Sequence, residues 1–354
     1  MSRPGGARAP QGPATVEGHN GPRGASAGGG PPERRRRLPA TPTLWIFAAL
    51  LVMVGVFSIL RFDAFASSTN FRNIAIDASG LLVVAVGMTF VILTAGIDLS
   101  VGAVLVFSSV VSAQVMTGMG EGTVSILSGL AVGLLAGAAW GVLNGALITK
   151  ARISPLIVTL GTLGMAEGAA LLLTGGINVR GVPLQLVTTL GIGDLFGVIP
   201  YLVLIAAIVT VVGAVALGAT RFGRYTYAIG SNSEAARRAG INVDRHLIKI
   251  YGMSGTLAGL AGFLSLARFS TTTLAGHSTD NLQAIAAVVI GGTSLFGGVG
   301  TVFGTVVGVF IPAVLQNGFI ILRVQPFWQQ VAVGAVLILA VYIDQLKRRA
   351  RASA

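Results

Sequence analysis

A few acidic and hydroxyl side chains interrupt the long apolar stretch at residues 87–106, which reads GMTFVILTAGIDLSVGAVLV. Asp98 is the charged residue of this stretch, and Thr94 and Ser100 lie close to it. A charged side chain at the centre of a bilayer costs at least ~2.5 kcal/mol, so it must face a cavity or find a partner. Glycines on both sides allow the backbone to unwind, which is tolerated only inside protein or beside water. The pattern favours a polar passage; the alternative is a carboxylate that caps a broken helix.

A second set of polar residues lies in or beside other apolar runs. Glu167 stands between Gly164 and Gly168, and an intramembrane acid is a functional candidate unless it hydrogen-bonds to a neighbouring helix. The amides and hydroxyls have a structural alternative too, because such groups commonly join membrane helices. Besides the three residues above, the candidates for a solute pathway are Asn144, Glu167, Thr293, Ser294 and Asn317.

The sequence contains no recognisable catalytic constellation. It has no Cys and only three His, so we expect neither thiolate chemistry nor a metal centre built on these residues. The Gly-rich run at 291–300 lacks the lysine of a phosphate-binding loop. His277 and Asp280 lie in a predicted outside loop, where another protein could dock, but we expect such isolated loop residues to be simply solvated. The chain is therefore predicted not to be an enzyme and to need no cofactor or metal.

Apolar runs make up most of the elements that must position these residues. Hydrophobic residues account for 53% of the 354-residue chain and charged residues for 10%, and the mean hydropathy is +0.81. A soluble domain carries about 25% charged residues. Crossing a bilayer takes about 20 residues per helix. We predict an all-α membrane protein with about ten transmembrane helices at 44–60, 74–94, 100–117, 124–148, 155–174, 200–219, 247–267, 284–298, 301–322 and 327–344.

Lysine and arginine are unevenly divided between the two sides of this predicted bundle. With ten spans and an inside N-terminus, 19 of the 24 basic residues fall on the inner side. Basic residues flank membrane spans on the cytoplasmic side. We therefore predict a multi-pass protein of a bacterial inner membrane with both termini in the cytoplasm. The net charge of +12 follows from this distribution and is not taken as a sign of nucleic-acid binding.

Two polar tails flank the predicted membrane domain at 43–346. Residues 1–42 are rich in Gly, Pro, Ala and Arg and have no apolar period, so we predict a disordered cytoplasmic tail. Residues 347–354 are predicted to be a basic cytoplasmic tail. A cleaved secretory signal is the alternative for the first apolar run, but a retained helix is preferred because the run is long and more spans follow.

Gly-rich polar breaks occur in both halves of the chain. Residues 286–306 read AAVVIGGTSLFGGVGTVFGTV and repeat the plan of 87–106 with a spacing that differs by two residues. Five spans in each half would give the halves opposite topology, and paired breaks of this kind point to a transport pathway. We therefore predict two inverted five-helix halves with broken helices. One glycine series at i, i+4 spacing predicts close helix packing instead: Gly129, Gly133, Gly137, Gly141 and Gly145.

The longest polar stretch after the N-terminal tail covers residues 220–246. Ser233 is a plausible N-cap for a short helix that begins at Glu234, and Gly240 is a good C-terminal stop. A short capped helix between two spans suits docking with a cytoplasmic partner. The alternative is a helix that lies at the headgroups, with its arginines on anionic membrane lipid.

Four segments of the sequence together resemble a known family: 87–104, 143–176, 221–243 and 286–308. In this order they resemble the permease subunits of ribose-type ABC importers, which carry simple sugars and belong to the branched-chain amino acid/ribose permease superfamily. The resemblance extends from about residue 44 to 346. It implies translocation of a ribose-, xylose- or galactose-like sugar into the cytoplasm.

The same resemblance implies partners and a coupling motif. The partners are a second permease copy in a homodimer, a separate cytoplasmic ABC ATPase that hydrolyses ATP, and an extracytoplasmic sugar-binding protein. Glu234-Ala235-Ala236 followed by Gly240 is similar to the coupling motif of importer permeases, although the apolar-Pro ending of other importer classes is missing. The residues to which this role is carried over are Gly230, Ser231, Asn232, Glu234, Ala235, Ala236 and Gly240.

Three other functions remain as alternatives at the level of sequence. One is a permease for branched-chain amino acids or nucleosides, whose subunits are similar. The second is a proton- or sodium-coupled secondary transporter with Asp98 and Glu167 as coupling acids. The third is a structural membrane protein, against which the polar breaks argue.

Overall fold

The computed structural model describes residues 41–325 together with Trp328, Val331, Gly334, Ala335, Ile338 and Tyr342. The predicted tails at 1–42 and 347–354 lie outside the described residues, apart from two residues at the start of the first helix, and so does most of the predicted span at 327–344. The described part is almost entirely helical, as predicted from the apolar runs.

The helices follow one another with short connections. In chain order they are α1 (Thr41–Leu60), α2 (Phe62–Phe65), α3 (Ser68–Leu93), α4 (Val101–Met119), α5 (Thr123–Lys150), α6 (Pro155–Thr174), α7 (Leu184–Leu186), α8 (Tyr201–Ala219), α9 (Arg221–Ser231), α10 (Ser233–Arg238), α11 (Val243–Phe269), α12 (Asp280–Ile290) and α13 (Val302–Ile321). A π-helical turn at Val187–Gly191 follows α7, and a small antiparallel pair joins β1 (Asp194–Leu195) to β2 (Ile199–Pro200).

Seven of the described helices are long and apolar enough to cross a membrane: α3, α4, α5, α6, α8, α11 and α13. The apolar part of α1, Leu44–Leu60, is slightly shorter, and α12 has only 11 residues. The prediction of a polytopic all-α membrane fold with broken helices is confirmed. Nine of the ten predicted runs coincide with described helices, one of them only in part.

Two helices form the centre of the bundle. In the most apolar window of each helix, 83% of α3 and 78% of α11 is buried, against 22% of α5 and of α8 and 28% of α6. The outer helices therefore present much of their apolar surface to lipid or to another protein. Both breaks in the helical pattern adjoin this central pair, as described below.

The glycine ladder of α5 packs against its neighbours, as predicted. Gly137 and Gly141 lie against the backbone of α11 at Gly255 and Tyr251, so closely that a Cβ at either position would overlap a carbonyl oxygen. Gly129 lies against Met116 of α4. Small residues let membrane helices approach closely in this way.

Two local predictions were wrong. The predicted span at 284–298 is not one helix: α12 ends at Ile290, and a nonhelical segment runs on to α13, because glycines with positive φ at 292, 297, 298 and 300 break the helix. The N-cap of α10 is Asn232 rather than Ser233. The Asn232 side chain accepts a hydrogen bond from the amide of Ala235 at 2.9 Å, so the helix begins one residue earlier.

Candidate functional site

The first break lies between α3 and α4 and is organised around Asp98. Its side chain is buried, with 1% exposed. One carboxylate oxygen accepts hydrogen bonds from the Ser100 amide at 3.0 Å and the Ser100 hydroxyl at 2.6 Å. The other accepts a longer one from the Ser254 hydroxyl of α11 at 3.4 Å. Asp98 thus holds Ser100, the residue directly before α4, and ties it to α11 in the centre of the bundle. The cap on the first turn of α4 stays a prediction, since the backbone amide bonded to Asp98 is that of Ser100 itself.

The hydrogen bonds continue from Ser100 to two outer helices. The Asn144 amide of α5 donates to the Ser100 hydroxyl at 2.8 Å, and the Thr162 hydroxyl of α6 donates to the Asn144 carbonyl oxygen at 2.7 Å. Asn144 is fully buried. We call these residues the Asp98 cluster: Asp98, Ser100, Asn144, Thr162 and Ser254. A satisfied buried network of this kind specifies one arrangement of the helices it joins.

Thr94 lies at the other end of the same break. Its hydroxyl donates to the carbonyl of Val91 at 2.8 Å, which closes the last turn of α3. Ala95 follows with a φ of 59°, a left-handed conformation that is uncommon for a residue with a Cβ. The backbone therefore reverses directly after α3, and the chain reaches Asp98 without helical hydrogen bonds.

The second break, between α12 and α13, is a compact turn. The Ser294 amide donates to the carbonyl of Val299 at 2.9 Å, and the Gly297 amide donates back to the carbonyl of Ser294 at 3.0 Å. Thr293 is buried, and its hydroxyl oxygen has no hydrogen-bond partner among the described residues. The helices on either side approach closely, since Gly291 of α12 packs on Gly304 of α13.

The two breaks meet each other. The Gly298 amide of the second break donates to the carbonyl of Leu93, the last residue of α3, at 2.9 Å. Gly230 of α9 packs against both partners, so that a Cβ at Gly230 would overlap the Leu93 carbonyl oxygen and approach the Gly298 nitrogen to 2.6 Å. The Tyr227 hydroxyl, also on α9, donates to the carbonyl of Gly300 at 2.7 Å. One helix from the polar loop therefore contacts both breaks.

That loop contains two helices, which we call the α9–α10 platform. Helix α9 was missed in the sequence, although its spacing of apolar and basic residues is amphipathic. Ala236 is buried in a small cluster with Ile229 and Val243, whereas the rest of α10 is exposed. Gly240 ends α10 with a φ of +82°, as predicted for a C-terminal stop. Helix α10 thus offers an exposed polar surface.

Most of the coupling candidates lie on this surface. Gly230 is inside the contact with the breaks, Asn232 caps α10, and Ala236 is buried. The others, Ser231, Glu234, Ala235 and Gly240, are exposed. The platform is braced by ion pairs from Arg237 to Asp244 at 2.9 Å and from Arg238 to Glu234 at 3.4 Å.

The remaining pathway candidates lie apart from the two breaks. Glu167 is exposed on the surface of α6 rather than buried in the bundle. Asn317 of α13 exchanges two amide hydrogen bonds with Asn70 of α3, at 3.0 and 2.9 Å. Asn317 also lines a cavity of about 370 Å³ between α3, α11 and α13. The structure therefore brings Thr94, Asp98, Ser100, Asn144, Thr293 and Ser294 to the breaks and places Glu167 and Asn317 elsewhere.

Sequence reasoning missed the polar character of this cavity. His277 and Asp280 were expected to be solvated loop residues, but they line the cavity. The His277 ring nitrogen Nδ1 lies 2.7 Å from an Asp280 carboxylate oxygen, and the two side chains are only 16% and 19% exposed. The spacing of three residues at the start of a helix was the available signal. Within the described ranges, no three His, Cys, Asp or Glu residues are grouped so as to hold a metal ion.

Comparison with known proteins identifies the family. Residues 70–341 match the family model described as "Branched-chain amino acid transport system / permease component". The ribose import permease protein of Escherichia coli K12 is 39% identical over 303 residues, which cover 85% of this chain and 92% of that protein. The ribose import permease protein of Bacillus subtilis 168 has the same identity and coverage.

A further relative extends the range of substrates. The fructose import permease protein of Rhizobium meliloti is 35% identical over 324 residues, which are 89% of this chain and 87% of that protein. No solved structure matches the chain. The family match covers most of the chain and includes both breaks and the α9–α10 platform. This chain therefore belongs to the branched-chain amino acid-type family of transport permease components, the family that also contains the sugar import permeases.

Proposed function

We propose that this chain is the membrane-spanning permease subunit of an ATP-binding-cassette importer that moves a simple sugar into the cytoplasm. The substrates named for its relatives are ribose, allose and fructose, which supports a monosaccharide. Nothing in these relatives favours the alternative of a branched-chain amino acid or a nucleoside. ATP hydrolysis is assigned to a separate cytoplasmic ATPase subunit.

The contact of α9 with both breaks is the observation that carries this proposal. A transporter must change the backbone beside its pathway when energy is supplied, and nonhelical backbone inside a bundle is where such change is possible. Gly230 touches Leu93 in the first break and Gly298 in the second. A displacement of the α9–α10 platform is therefore transmitted to both breaks at once.

The exposed face of α10 is the proposed docking site for the ATPase. Only Ala236 of this helix is buried, so a partner can reach Glu234, Ala235 and the two arginines. The platform connects the end of α8 to the start of α11. Its basic residues support a cytoplasmic position by the positive-inside rule, with both chain termini on the same side. The extracytoplasmic sugar-binding protein would then dock at the opposite end of the bundle.

The exposed face of α6 supports a second permease copy as a further partner. Gly161, Gly164 and Glu167 are exposed on this apolar helix, and no side chain of the described residues lies within 4 Å of a Cβ built at either glycine. An acid facing hydrocarbon is costly, whereas small residues favour close contact between helices. We assign this face to a homodimer interface, with membrane lipid covering the remaining apolar surface.

The ion-coupled alternative gains no support from the two acids. Asp98 is buried and receives three hydrogen bonds, whereas Glu167 is exposed on an outer helix. Coupling acids of an ion-driven carrier are expected to lie along one water-accessible route. The two residues occupy different environments, so we retain the ATP-driven importer.

Reconstitution tests the proposal directly. The chain is placed in proteoliposomes with its ATPase and binding protein, and uptake of labelled D-ribose, D-allose, D-fructose, D-xylose, D-galactose and L-leucine is measured. We expect ATP-dependent uptake of at least one sugar and none with an ATPase that lacks its phosphate-loop lysine. Uptake driven by an imposed proton or sodium gradient without ATP, or uptake of L-leucine alone, would refute the assignment.

A further inference from the structure

The two breaks and the α9–α10 platform leave one polar cavity unexplained, the one between α3, α11 and α13. It has a volume of about 370 Å³. Its walls come from the first part of α3, the last part of α11 and the last part of α13. It therefore lies at the end of the bundle opposite the platform. Sites for small molecules are clefts of roughly 300–1,000 Å³ with a few convergent polar groups.

The ionisable side chains in this cavity have partners within it. Arg268 of α11 forms an ion pair with Asp77 of α3, and the His277 ring nitrogen Nδ1 lies 2.7 Å from an Asp280 carboxylate oxygen. The His277 ring also shares a hydrogen bond of 3.0 Å with the Ser265 hydroxyl. A site built to hold an ion would present a charged group without such a partner. Groups that are already bonded to one another instead offer a solute hydrogen-bond donors and acceptors without strong attraction for an ion.

Uncharged hydrogen-bonding groups complete the polar wall. Gln283, Gln316 and Asn317 add amides, each of which can both donate and accept. Thr273 also lines the cavity, and its hydroxyl oxygen is buried without a partner among the described residues. This set suits a molecule with several hydroxyl groups.

Apolar side chains form the rest of the lining. Leu105, Leu202, Leu264 and Phe269 border the cavity beside the polar groups. A monosaccharide has the matching character, because its ring carries hydroxyls at the edge and C–H groups on the faces. A free amino acid would bring two charges, whereas the ionisable groups named above already bond to one another.

We propose that this cavity is a binding site for an uncharged monosaccharide within the permease itself. This inference rests on the proposed function. It adds a site in the permease where the sugar binds transiently on its way from the binding protein to the cytoplasm. Because the ionisable groups of the cavity already bond to one another, binding is weak, as suits a solute that must also leave.

The cavity wall that carries His277 and Asp280 contacts the first break. Asn281, one residue after Asp280, donates its side-chain amide to the carbonyl of Leu99 at 2.9 Å. Gly102 of α4 packs against the carbonyl of His277, and a Cβ there would approach that oxygen to 2.7 Å. Movement of the first break would therefore reach the cavity wall that carries His277 and Asp280.

Cysteine protection tests the site, since the chain has no cysteine of its own. Ala313→Cys places one thiol in the cavity, and Ser278→Cys places one on the exposed loop outside it. Both full-length variants are reconstituted with the ATPase and binding protein and labelled with a small membrane-impermeant methanethiosulfonate. The sugars of the uptake panel are added singly at millimolar concentration, with L-leucine as a solute control.

We expect the transported sugar to slow labelling of Ala313→Cys at least threefold and to leave Ser278→Cys unchanged. Equal labelling with and without a sugar that the same liposomes import would overturn the site while leaving the proposed function intact. Protection by L-leucine to the same extent would also overturn it. Absence of any ATP-dependent sugar uptake would instead contradict the proposed function.

A substitution pair provides an independent measurement. Gln316→Leu removes one amide that lines the cavity, at similar size. Gln185→Leu makes the same change at a position that is also exposed but lies away from the cavity, beside α5. We expect maximal sugar uptake to fall at least fivefold for Gln316→Leu and to remain near wild type for Gln185→Leu, at equal amounts of inserted protein. Equal rates for both variants would argue against a role for the cavity.

Discussion

At the scale of single residues, Asp98 shows how a charge is accommodated inside an apolar bundle. Its carboxylate meets donors from Ser100 and Ser254, and Ser100 in turn receives a hydrogen bond from Asn144. The residue therefore closes a network that holds the start of α4 against α5 and α11. Its three hydrogen bonds all come from neutral donors. In an asparagine the carbonyl oxygen can accept the two bonds from Ser100, while the NH2 group can donate to the Ser254 hydroxyl.

This geometry separates the roles of shape and charge at Asp98. Asp98→Asn keeps an acceptor for the Ser100 amide, so we expect sugar uptake within about threefold of wild type. Asp98→Leu leaves buried donors unsatisfied at about 1–3 kcal/mol each, and we expect uptake to fall more than tenfold with a lower Tm. Uptake and thermal unfolding in detergent are measured, with exposed Asp63→Asn as control. Equal loss in both Asp98 variants would show that the charge itself is required.

At the scale of elements, the α9–α10 platform is placed so that its displacement would move both the first and the second break. Helix α9 is fixed to α11 by the Thr226 hydroxyl, which lies 3.0 Å from the His246 ring nitrogen, and to the second break by Tyr227. Gly230 lets the helix end approach both breaks without a side chain between them. The close approach matters because a rigid contact transmits motion better than a solvated gap.

A matched pair of glycines tests this contact. Gly230→Ala adds a methyl group that overlaps the Leu93 carbonyl, whereas Gly218→Ala adds one where nothing lies within 4 Å. We expect sugar uptake per ATP hydrolysed to fall at least tenfold for Gly230→Ala. Gly218→Ala should be neutral or slightly stabilising, since alanine is favoured over glycine in helices by roughly 0.5–1 kcal/mol. Wild-type coupling in Gly230→Ala would remove the platform-to-break contact from the mechanism.

At the scale of the whole molecule, the described chain leaves several helix faces apolar and uncovered. Outer helices α5, α6 and α8 are less than a third buried in their apolar windows, while α3 and α11 are shielded. Lipid can cover the purely apolar faces. The α6 face differs because it combines Gly164 with the acid Glu167, and this difference is the reason to assign it to a second copy.

Single-cysteine cross-linking tests that assignment in native membranes. Gly164→Cys places a thiol on the proposed interface, and Val211→Cys places one on the exposed face of α8. Copper-phenanthroline should produce a disulfide-linked dimer with Gly164→Cys and little or none with Val211→Cys, as read on a non-reducing gel. A dimer band from Val211→Cys alone would move the interface to α8.

The sequence by itself determined the class of fold. An apolar run of about 20 residues can satisfy its backbone hydrogen bonds in lipid only as a helix. Hydropathy and length were therefore enough to predict helices such as α3, α5 and α11. The breaks were also visible, because glycines beside Asp98 and at 297–298 cannot continue an apolar helix at low cost. The glycines from Gly129 to Gly145 also predicted close helix packing, because their i, i+4 spacing places them on one face of α5.

Only the tertiary structure decided which of these residues meet. Any two of Leu93, Gly230 and Gly298 are separated by more than 60 residues in the sequence. Their contact therefore depends on how α9 packs onto the bundle. Likewise, the spacing of His277 and Asp280 allows the two side chains to meet, but it does not show that they line a cavity, which depends on how α3, α11 and α13 pack around them. Residue type sets what a side chain can bond with, but long-range packing of helices sets what it finds there.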